Sequence, residues 1–120
     1  MRRKKRPVVN PSKAKGTLGE TAVVKWLHQW WPNAERRALH GNTDFGDVVG
    51  IVGVVIEVKN AKTVKTSEWL RQLAVEKQNA SADHGVLVVK PVGVSVDKVG
   101  DWWAITTVDD HFRLIRDAGH

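Results

Sequence analysis

Residues 54–60 read VVIEVKN, and the other predicted elements of the chain are arranged around this stretch. It has the composition of a short apolar strand into which one acid and one base have been set. Because side chains alternate between the two faces of a strand, Glu57 and Lys59 point the same way as Val55. Two opposite charges therefore stand side by side on an otherwise apolar face, where unpaired charges are costly to bury.

A second short apolar run, residues 46–50 (GDVVG), precedes this strand and carries Asp47 ten residues before Glu57. That spacing is typical of a β-hairpin that brings two carboxylates together. Carboxylate and carbonyl oxygens are the ligands that hard divalent ions prefer. We therefore expect Asp47, Glu57 and the backbone carbonyl of Val58 to bind Mg²⁺ or Mn²⁺. Such an ion can generate hydroxide at neutral pH, and Lys59 would hold the attacking water or neutralise a phosphate.

The alternative explanation of the Glu57–Lys59 pair is a salt-bridged ladder on a solvated strand face. Asp44 lies near Asp47 and is a possible extra acid, although its place in a turn-rich loop already explains an aspartate there. His40 is the only histidine near this loop, and we expect a structural or surface role for it.

Residues 17–31 have the spacing of a helix that ends at Pro32, with Thr17 as N-cap and Glu20 completing a capping box. Glu20 falls on the flank of the apolar stripe, where it would aim a carboxylate at the metal site. Capping alone is the alternative role for Glu20. The residues predicted to form the apolar stripe are Leu18, Ala22, Val23, Trp26, Leu27 and Trp30.

The remaining pattern predicts alternating strands and helices. Further strands are expected over residues 34–40, 85–90 and 101–107, and further helices over residues 67–82 and 107–117. Gln72 would face the site from the first of these two helices, and Val108, Phe112 and Ile115 would face inward from the second. This order of elements predicts an α/β domain with a mixed β-sheet flanked by helices.

Positive charge is concentrated at the start of the chain. The net charge is +6, yet residues 1–15 hold seven Lys and Arg and no acid, whereas the remaining 105 residues hold 12 basic and 13 acidic residues. We expect residues 1–15 to form a flexible basic arm that attracts phosphate, and residues 16–120 to form the single folded domain. The predicted nucleic-acid contacts are Arg2, Arg3, Lys4, Lys5, Arg6, Lys13, Lys15, Arg36, Arg37, Lys62 and Lys65.

Composition excludes several classes of protein. The chain has no cysteine, so it has neither a disulfide nor a thiolate zinc site. No segment has the roughly 20 apolar residues of a membrane span. The basic start is followed by a polar stretch and not by the apolar run of a signal peptide. We therefore expect a protein of the cytoplasm, or of the host cytoplasm if the source is viral, that does not bind membranes.

These motifs resemble those of the PD-(D/E)XK nuclease superfamily, which has the restriction-endonuclease-like fold. Gly46-Asp47 stands where the name has Pro-Asp, and Glu57-Val58-Lys59 is the second motif. More narrowly, the chain looks like the archaeal-type Holliday-junction resolvases. The matching features are Lys15-Gly16 ahead of Glu20, Gln72 on the helix after the Glu-Val-Lys strand, a strand ending at Lys90, and Trp102-Trp103.

The resemblance implies a metal-dependent endonuclease that cuts branched or duplex DNA, in particular four-way junctions, to 5′-phosphate ends. It implies a homodimer and a catalytic set of Glu20, Asp47, Glu57, Lys59 and Gln72. Another small nuclease of the same superfamily, of the restriction or VRR type, is the nearest alternative. A basic nucleic-acid-binding module without catalysis, or an assembly protein that uses its six Trp, are alternatives from other classes.

Overall fold

The computed structural model describes residues 10–38 and 43–120 of the chain. Its helices and strands follow the predicted order, from a helix through three strands, a helix and two strands to a last helix. They are α1 (Pro11–Leu27), β1 (Glu35–Arg36), β2 (Val48–Val49), β3 (Val54–Lys59), α2 (Thr66–Ala80), β4 (His84–Val89), β5 (Trp103–Ile105) and α3 (Val108–Asp117), with one 3₁₀ turn at Val99–Asp101. The predicted α/β class is confirmed.

The main sheet has three strands in the order β3-β4-β5 and is mixed, as the sequence predicts. β3 and β4 run parallel, with Glu57 opposite Leu87, and β5 runs antiparallel to β4. β4 is central because its nearly continuous apolar run can be buried on both faces. β1 and β2 form a separate antiparallel pair beside the free edge of β3. The predicted strand over residues 34–40 is therefore only two residues long within the described part.

Helices cover both faces of the main sheet. On one face α1 packs against Ile56 and Val58, and on the other face α2 packs against Val55. The alternation predicted for residues 54–60 is therefore confirmed, and it places Glu57 and Lys59 on the face that α2 covers. Because α2 covers this face, α2 is the helix that can place further side chains beside Glu57 and Lys59.

α1 begins earlier than predicted. Asn10 is its N-cap, since its side-chain oxygen accepts hydrogen bonds from the backbone N–H groups of Ser12 at 3.1 Å and Lys13 at 3.3 Å, and Pro11 occupies the first turn. The predicted cap at Thr17 is therefore wrong, and residues 11–15, which the sequence assigns to the basic arm, are helical. Residues 1–9, where the rest of that arm was predicted, lie outside the described residues.

The buried face of α1 is also rotated from the prediction. Leu18 and Trp30 are exposed, while Gly19 and Val24 are buried. Gly19 explains the rotation, because a Cβ there would come within 3.0 Å of the Asn60 Cβ at the end of β3. The absence of a side chain lets the helix approach the strand along this line. The helix also ends at Leu27, five residues before Pro32.

α3 is held by a charged contact and not by the predicted apolar face. Val108 and Phe112 are 75% and 62% exposed, which contradicts the prediction that they face inward. Asp110 is buried, and its two oxygens accept hydrogen bonds from Lys77 Nζ on α2 at 2.6 and 2.7 Å. In the described part of the chain, no helix is long and apolar enough to cross a membrane.

Candidate active site

A cleft of about 630 Å³ opens beside the free edge of β3. Four of the five predicted catalytic residues line it, and the fifth, Lys59, is bonded to one of those four, Glu57. The residues that line the cleft and carry chemistry are Glu20, Asp44, Asp47, Glu57 and Gln72, together with Lys13, Arg36 and Arg37. Acids that are distant in the sequence therefore meet at one place.

Asp47 is bonded directly to the edge of β3. Its backbone N–H donates to the Ile56 carbonyl at 2.9 Å, and its Oδ2 accepts from the Val58 N–H at 2.7 Å. The N–H and C=O groups of one strand residue point to the same side, so the Val58 carbonyl also faces this edge. Asp47 and the Val58 carbonyl thus lie at the free edge of β3, and Glu57, the third member of the predicted ligand set, lines the same cleft as Asp47.

The glycine before Asp47 is required by its backbone conformation. Gly46 has φ +94°, and a Cβ added there would lie 2.8 Å from Val55 Cγ1. Proline is locked near φ −65° and cannot adopt this conformation. The departure from the Pro-Asp motif is therefore a structural property of this chain, and it sets the direction in which Asp47 leaves the loop.

Glu20 reaches the cleft from α1. The close approach at Gly19 and a hydrogen bond from Asn60 Nδ2 to the Lys15 carbonyl, at 3.0 Å, fix the helix against the end of β3. Glu20 Oε2 accepts from Arg36 Nε at 3.2 Å and from Arg36 Nη2 at 2.9 Å. Glu20 therefore pairs with a cation of β1 and does not cap the helix.

Burial and neighbouring acids change the ionisation of Asp47. Burial raises the pKa of Asp47 to about 8, with further contributions from the negative charge of Glu57 and from Glu20. A cation between these oxygens would oppose the shift, because opposite charge favours the ionised carboxylate.

Lys59 and Gln72 both touch Glu57. Lys59 Nζ lies 3.4 Å from Glu57 Oε1 and 5.7 Å from the centre of the Trp69 ring, so α2 helps to hold the ammonium in place. Gln72 Nε2 lies 3.4 Å from Glu57 Oε1 and 3.3 Å from Asp44 Oδ2. Gln72 thus faces the site from α2 as predicted.

Glu76, which was not among the predicted site residues, is the most deeply buried acid among the described residues. Its side chain is 0% exposed, and it lies one turn beyond Gln72 on α2. A signal for it existed, since Glu76 continues the apolar stripe three residues after Leu73 and seven after Trp69. A carboxylate at a buried position of a helix needs a partner, and this one points at Glu57 and Asp44.

One oxygen from each of Asp44, Glu57 and Glu76 lies within 4.8 Å of the others. Burial, hydrogen bonding to Glu57 and Asp44, and repulsion from these two acids together raise the pKa of Glu76 to about 11. Burial by itself would raise the pKa of Asp44, but hydrogen bonds from Glu76 and from the Gly46 N–H outweigh burial and hold that pKa below its ordinary value. Asp44, a possible extra acid from the sequence, is therefore part of the acidic cluster.

The donor set fits a hard divalent cation. Glu57 Oε2 and both oxygens of Glu76 are buried and accept no hydrogen bond from any described residue. All the available atoms are carboxylate or carbonyl oxygens, which Mg²⁺ and Mn²⁺ prefer. An acidic triad, Asp44, Glu57 and Glu76, could thus hold a metal ion.

The predicted nucleic-acid contacts are distributed unevenly. Lys13 lines the cleft from α1 and Arg36 from β1, while Arg37 stacks on Phe45, 5.3 Å from the ring centre. Lys15, Lys62 and Lys65 are exposed. The five basic residues from Arg2 to Arg6 lie outside the described residues.

Comparisons with models of known protein families, with curated proteins and with solved structures found no match for this chain. The resemblance to the PD-(D/E)XK nucleases and to their fold therefore stays a prediction.

Proposed function

We propose that the protein is a metal-dependent endonuclease that hydrolyses phosphodiester bonds in branched DNA, in particular four-way junctions. The observation that carries the proposal is the 3.4 Å pair between Lys59 Nζ and Glu57 Oε1, on the wall of a cleft that Asp47 and Glu20 also line. An acid and an amine held together beside further carboxylates suit phosphoryl transfer better than a structural salt bridge, which needs no other acid.

The chain's own residues would bind one cation through Asp47, Glu57 and the Val58 carbonyl, with Glu20 adding a carboxylate from α1. When bound, a divalent cation polarises the phosphate and makes water a stronger nucleophile at neutral pH. The orphaned oxygen of Glu57 and the raised pKa of Asp47 both support cation binding at this edge.

Lys59 would act on the phosphate or on the attacking water. Its ammonium is held between Glu57 and the Trp69 ring, so it is oriented before substrate arrives. Attack by water on phosphorus, with loss of the 3′ oxygen, would leave a 5′-phosphate and a 3′-hydroxyl. Gln72 would orient Glu57 from the α2 side.

The substrate part of the proposal depends on charge and on the resemblance. Lys13 and Arg36 stand at the cleft and can contact phosphates next to the cut bond, while the basic residues 2–6 would add sequence-independent attraction. A junction has two strands to cut, so a homodimer with two clefts is the form of the enzyme that we propose.

The deciding experiment incubates the purified protein with labelled four-way junction, linear duplex and flap DNA, with Mg²⁺, with Mn²⁺ or with EDTA. We expect cation-dependent cutting, strongest on the junction, that falls at least 100-fold in Glu57→Gln and Lys59→Ala while junction binding persists. Glu68→Gln is the matched control, because Glu68 is an exposed acid of α2 away from the cleft.

Equal cutting by Glu57→Gln and the parent protein would refute the proposed site. Salt-sensitive binding without cutting under any cation would favour the non-catalytic binding module instead. Sedimentation of the protein with and without junction DNA tests the homodimer, and a monomer in both would remove that part of the proposal.

A further inference from the structure

Glu76 has no role in the single-cation site described above. It belongs to α2, on the opposite side of β3 from Glu20 and α1, and its side chain is 0% exposed. Neither of its oxygens receives a hydrogen bond from a described residue. A buried carboxyl that accepts no hydrogen bond either carries a proton, which Asp44 or Glu57 can accept, or is compensated by a cation.

The oxygens around Glu76 are spaced as the ligands of one ion are spaced. Asp44, Glu57 and Glu76 each contribute an oxygen, and all three lie within 4.8 Å of one another. Two oxygens bound to one cation lie at most twice the metal–oxygen distance apart, about 4.2 Å for Mg²⁺ and about 5 Å for Ca²⁺. The three side chains come from a loop, a strand and a helix, so their convergence is a property of the fold.

The described protein groups do not neutralise this cluster. Lys59 reaches only Glu57, at 3.4 Å, and the Gln72 amide lies at 3.3 and 3.4 Å from its two acceptors, which are long hydrogen bonds. Three carboxylates at such distances cannot all be ionised without a further positive charge. The compensating group is then either a proton on Glu76 or a cation.

We propose that Asp44, Glu57 and Glu76 bind a second divalent cation, of the small hard class to which Mg²⁺ and Mn²⁺ belong. Glu57 belongs to both proposed ligand sets, with Asp44 and Glu76 in one and Asp47 in the other. The chain has no cysteine, and none of the three ligands is a histidine, which argues against zinc. This proposal rests on the proposed function in one respect, namely that the first cation binds at Asp47.

The test counts ions directly and does not need nuclease activity. Metal-free protein is titrated with Mn²⁺, with calorimetry for heat and electron paramagnetic resonance for free Mn²⁺. We expect two Mn²⁺ per chain in the parent protein and in the Glu68→Gln control, and one in Glu76→Gln and in Asp44→Asn. Asp47→Asn should lose the other ion and keep one.

Glu76→Gln separates the two explanations of the buried acid. An amide keeps the shape and donates a hydrogen bond as a protonated carboxyl does, so a structural proton predicts unchanged stoichiometry in this variant. One ion in the parent protein, or two in Glu76→Gln, would overturn the proposal. If Glu76→Gln fails to fold by circular dichroism, the parent stoichiometry and Asp44→Asn decide, because Asp44 lies in a partly exposed loop.

Failure here is distinguishable from failure of the nuclease proposal. Two ions bound with no cutting of any DNA would leave the second site standing and remove the proposed activity. Cation-dependent cutting with a single bound ion would support the proposed activity and remove the second site.

Discussion

The Asp47 carboxylate accepts a hydrogen bond from the Val58 backbone N–H at 2.7 Å, so an acid of the site also completes the free edge of β3. An unpaired strand N–H next to a buried core would be costly, and the side chain supplies the acceptor that a neighbouring strand would have given. Asp47 therefore has two roles, as acceptor for the Val58 N–H and as a proposed cation ligand. Substitutions at Asp47 can separate these roles.

Asp47→Asn should keep the fold and lose the cation beside Asp47, because an amide oxygen can still accept from the Val58 N–H but carries no charge. Asp47→Ala should lose both, with a fall of about 1 to 3 kcal/mol in the free energy of unfolding from the orphaned N–H. Urea denaturation gives the stability, and Mn²⁺ titration gives the binding. Equal destabilisation by the two variants would contradict the role of this hydrogen bond.

The metal-free protein should become less stable as pH rises from about 5 to about 8. Glu76 and Asp47 have pKa values raised from 4.5 to about 11 and from 3.8 to about 8, so each holds a proton in the folded state that the unfolded state has already lost. The unfolded state binds fewer protons across this range, and each such group lowers the free energy of unfolding by up to about 1.4 kcal/mol per pH unit.

Urea denaturation in EDTA at several pH values measures this slope. Asp47 stops contributing near pH 8, whereas Glu76 continues above it. Glu76→Gln is the control, since it removes one titrating group and should flatten the slope. Saturating Mg²⁺ should reverse the trend by stabilising the ionised acids. Stability in EDTA that rises from pH 5 to pH 8 would contradict the buried protonated acids.

The sequence predicted the parts of the site that depend on strand alternation. Glu57 and Lys59 share a face because a strand has a period of two. This is a local rule, and it holds here whatever the rest of the chain does. The same rule explains why β4, with its continuous apolar run, is the central strand. The predicted β-hairpin is wrong, since β2 pairs with β1, and Asp47 reaches β3 through its hydrogen bonds to Ile56 and Val58.

The parts that could not be predicted depend on contacts between distant residues. The face of α1 is set by the close approach of Gly19 to Asn60, which no periodicity within the helix reveals. α3 docks through Asp110 and Lys77, so its apolar pattern misled the prediction. Glu76 was detectable as an acid on an apolar stripe, but its partners became evident only when the loop containing Asp44 was placed beside α2.

Gly46→Ala should cost more stability than Gly93→Ala, although both glycines have positive φ, +94° and +85°. A Cβ at Gly46 would lie 2.8 Å from Val55 Cγ1, whereas a Cβ at Gly93 would meet nothing within 4 Å. Backbone strain alone is worth about 1 to 2 kcal/mol in either variant. The steric clash should raise the loss at Gly46 to about 3 kcal/mol, as measured by urea denaturation.

The same position tests how far the resemblance extends. Gly46→Pro would restore the Pro-Asp sequence of the superfamily name, yet proline cannot adopt φ +94°. We expect this variant to unfold or to lose cation binding, since the loop must change direction before Asp47. If Gly46→Pro is more stable and still binds Mn²⁺, the loop before Asp47 has a different conformation from the one described.

Removal of residues 1–9 should weaken DNA binding chiefly at low salt. These residues carry five of the chain's cations and no acid, so deleting them removes up to five phosphate contacts. Each contact contributes about 0.9 to the slope of log K against log salt, so the slope should fall by up to about 4.5 on duplex DNA. Deletion to Asn10 preserves the helix cap, so the free energy of unfolding should not change.

Lys62→Ala combined with Lys65→Ala is the comparison for this deletion, because both lysines are exposed on the loop between β3 and α2. If they contact phosphate as predicted, the slope should fall by up to about 2. Fluorescence anisotropy at several salt concentrations gives both slopes. An unchanged slope after deletion would show that the cleft lysines and arginines, and not the start of the chain, carry the attraction for DNA. Cutting should survive the deletion at low salt, since none of the acids of the cleft is removed.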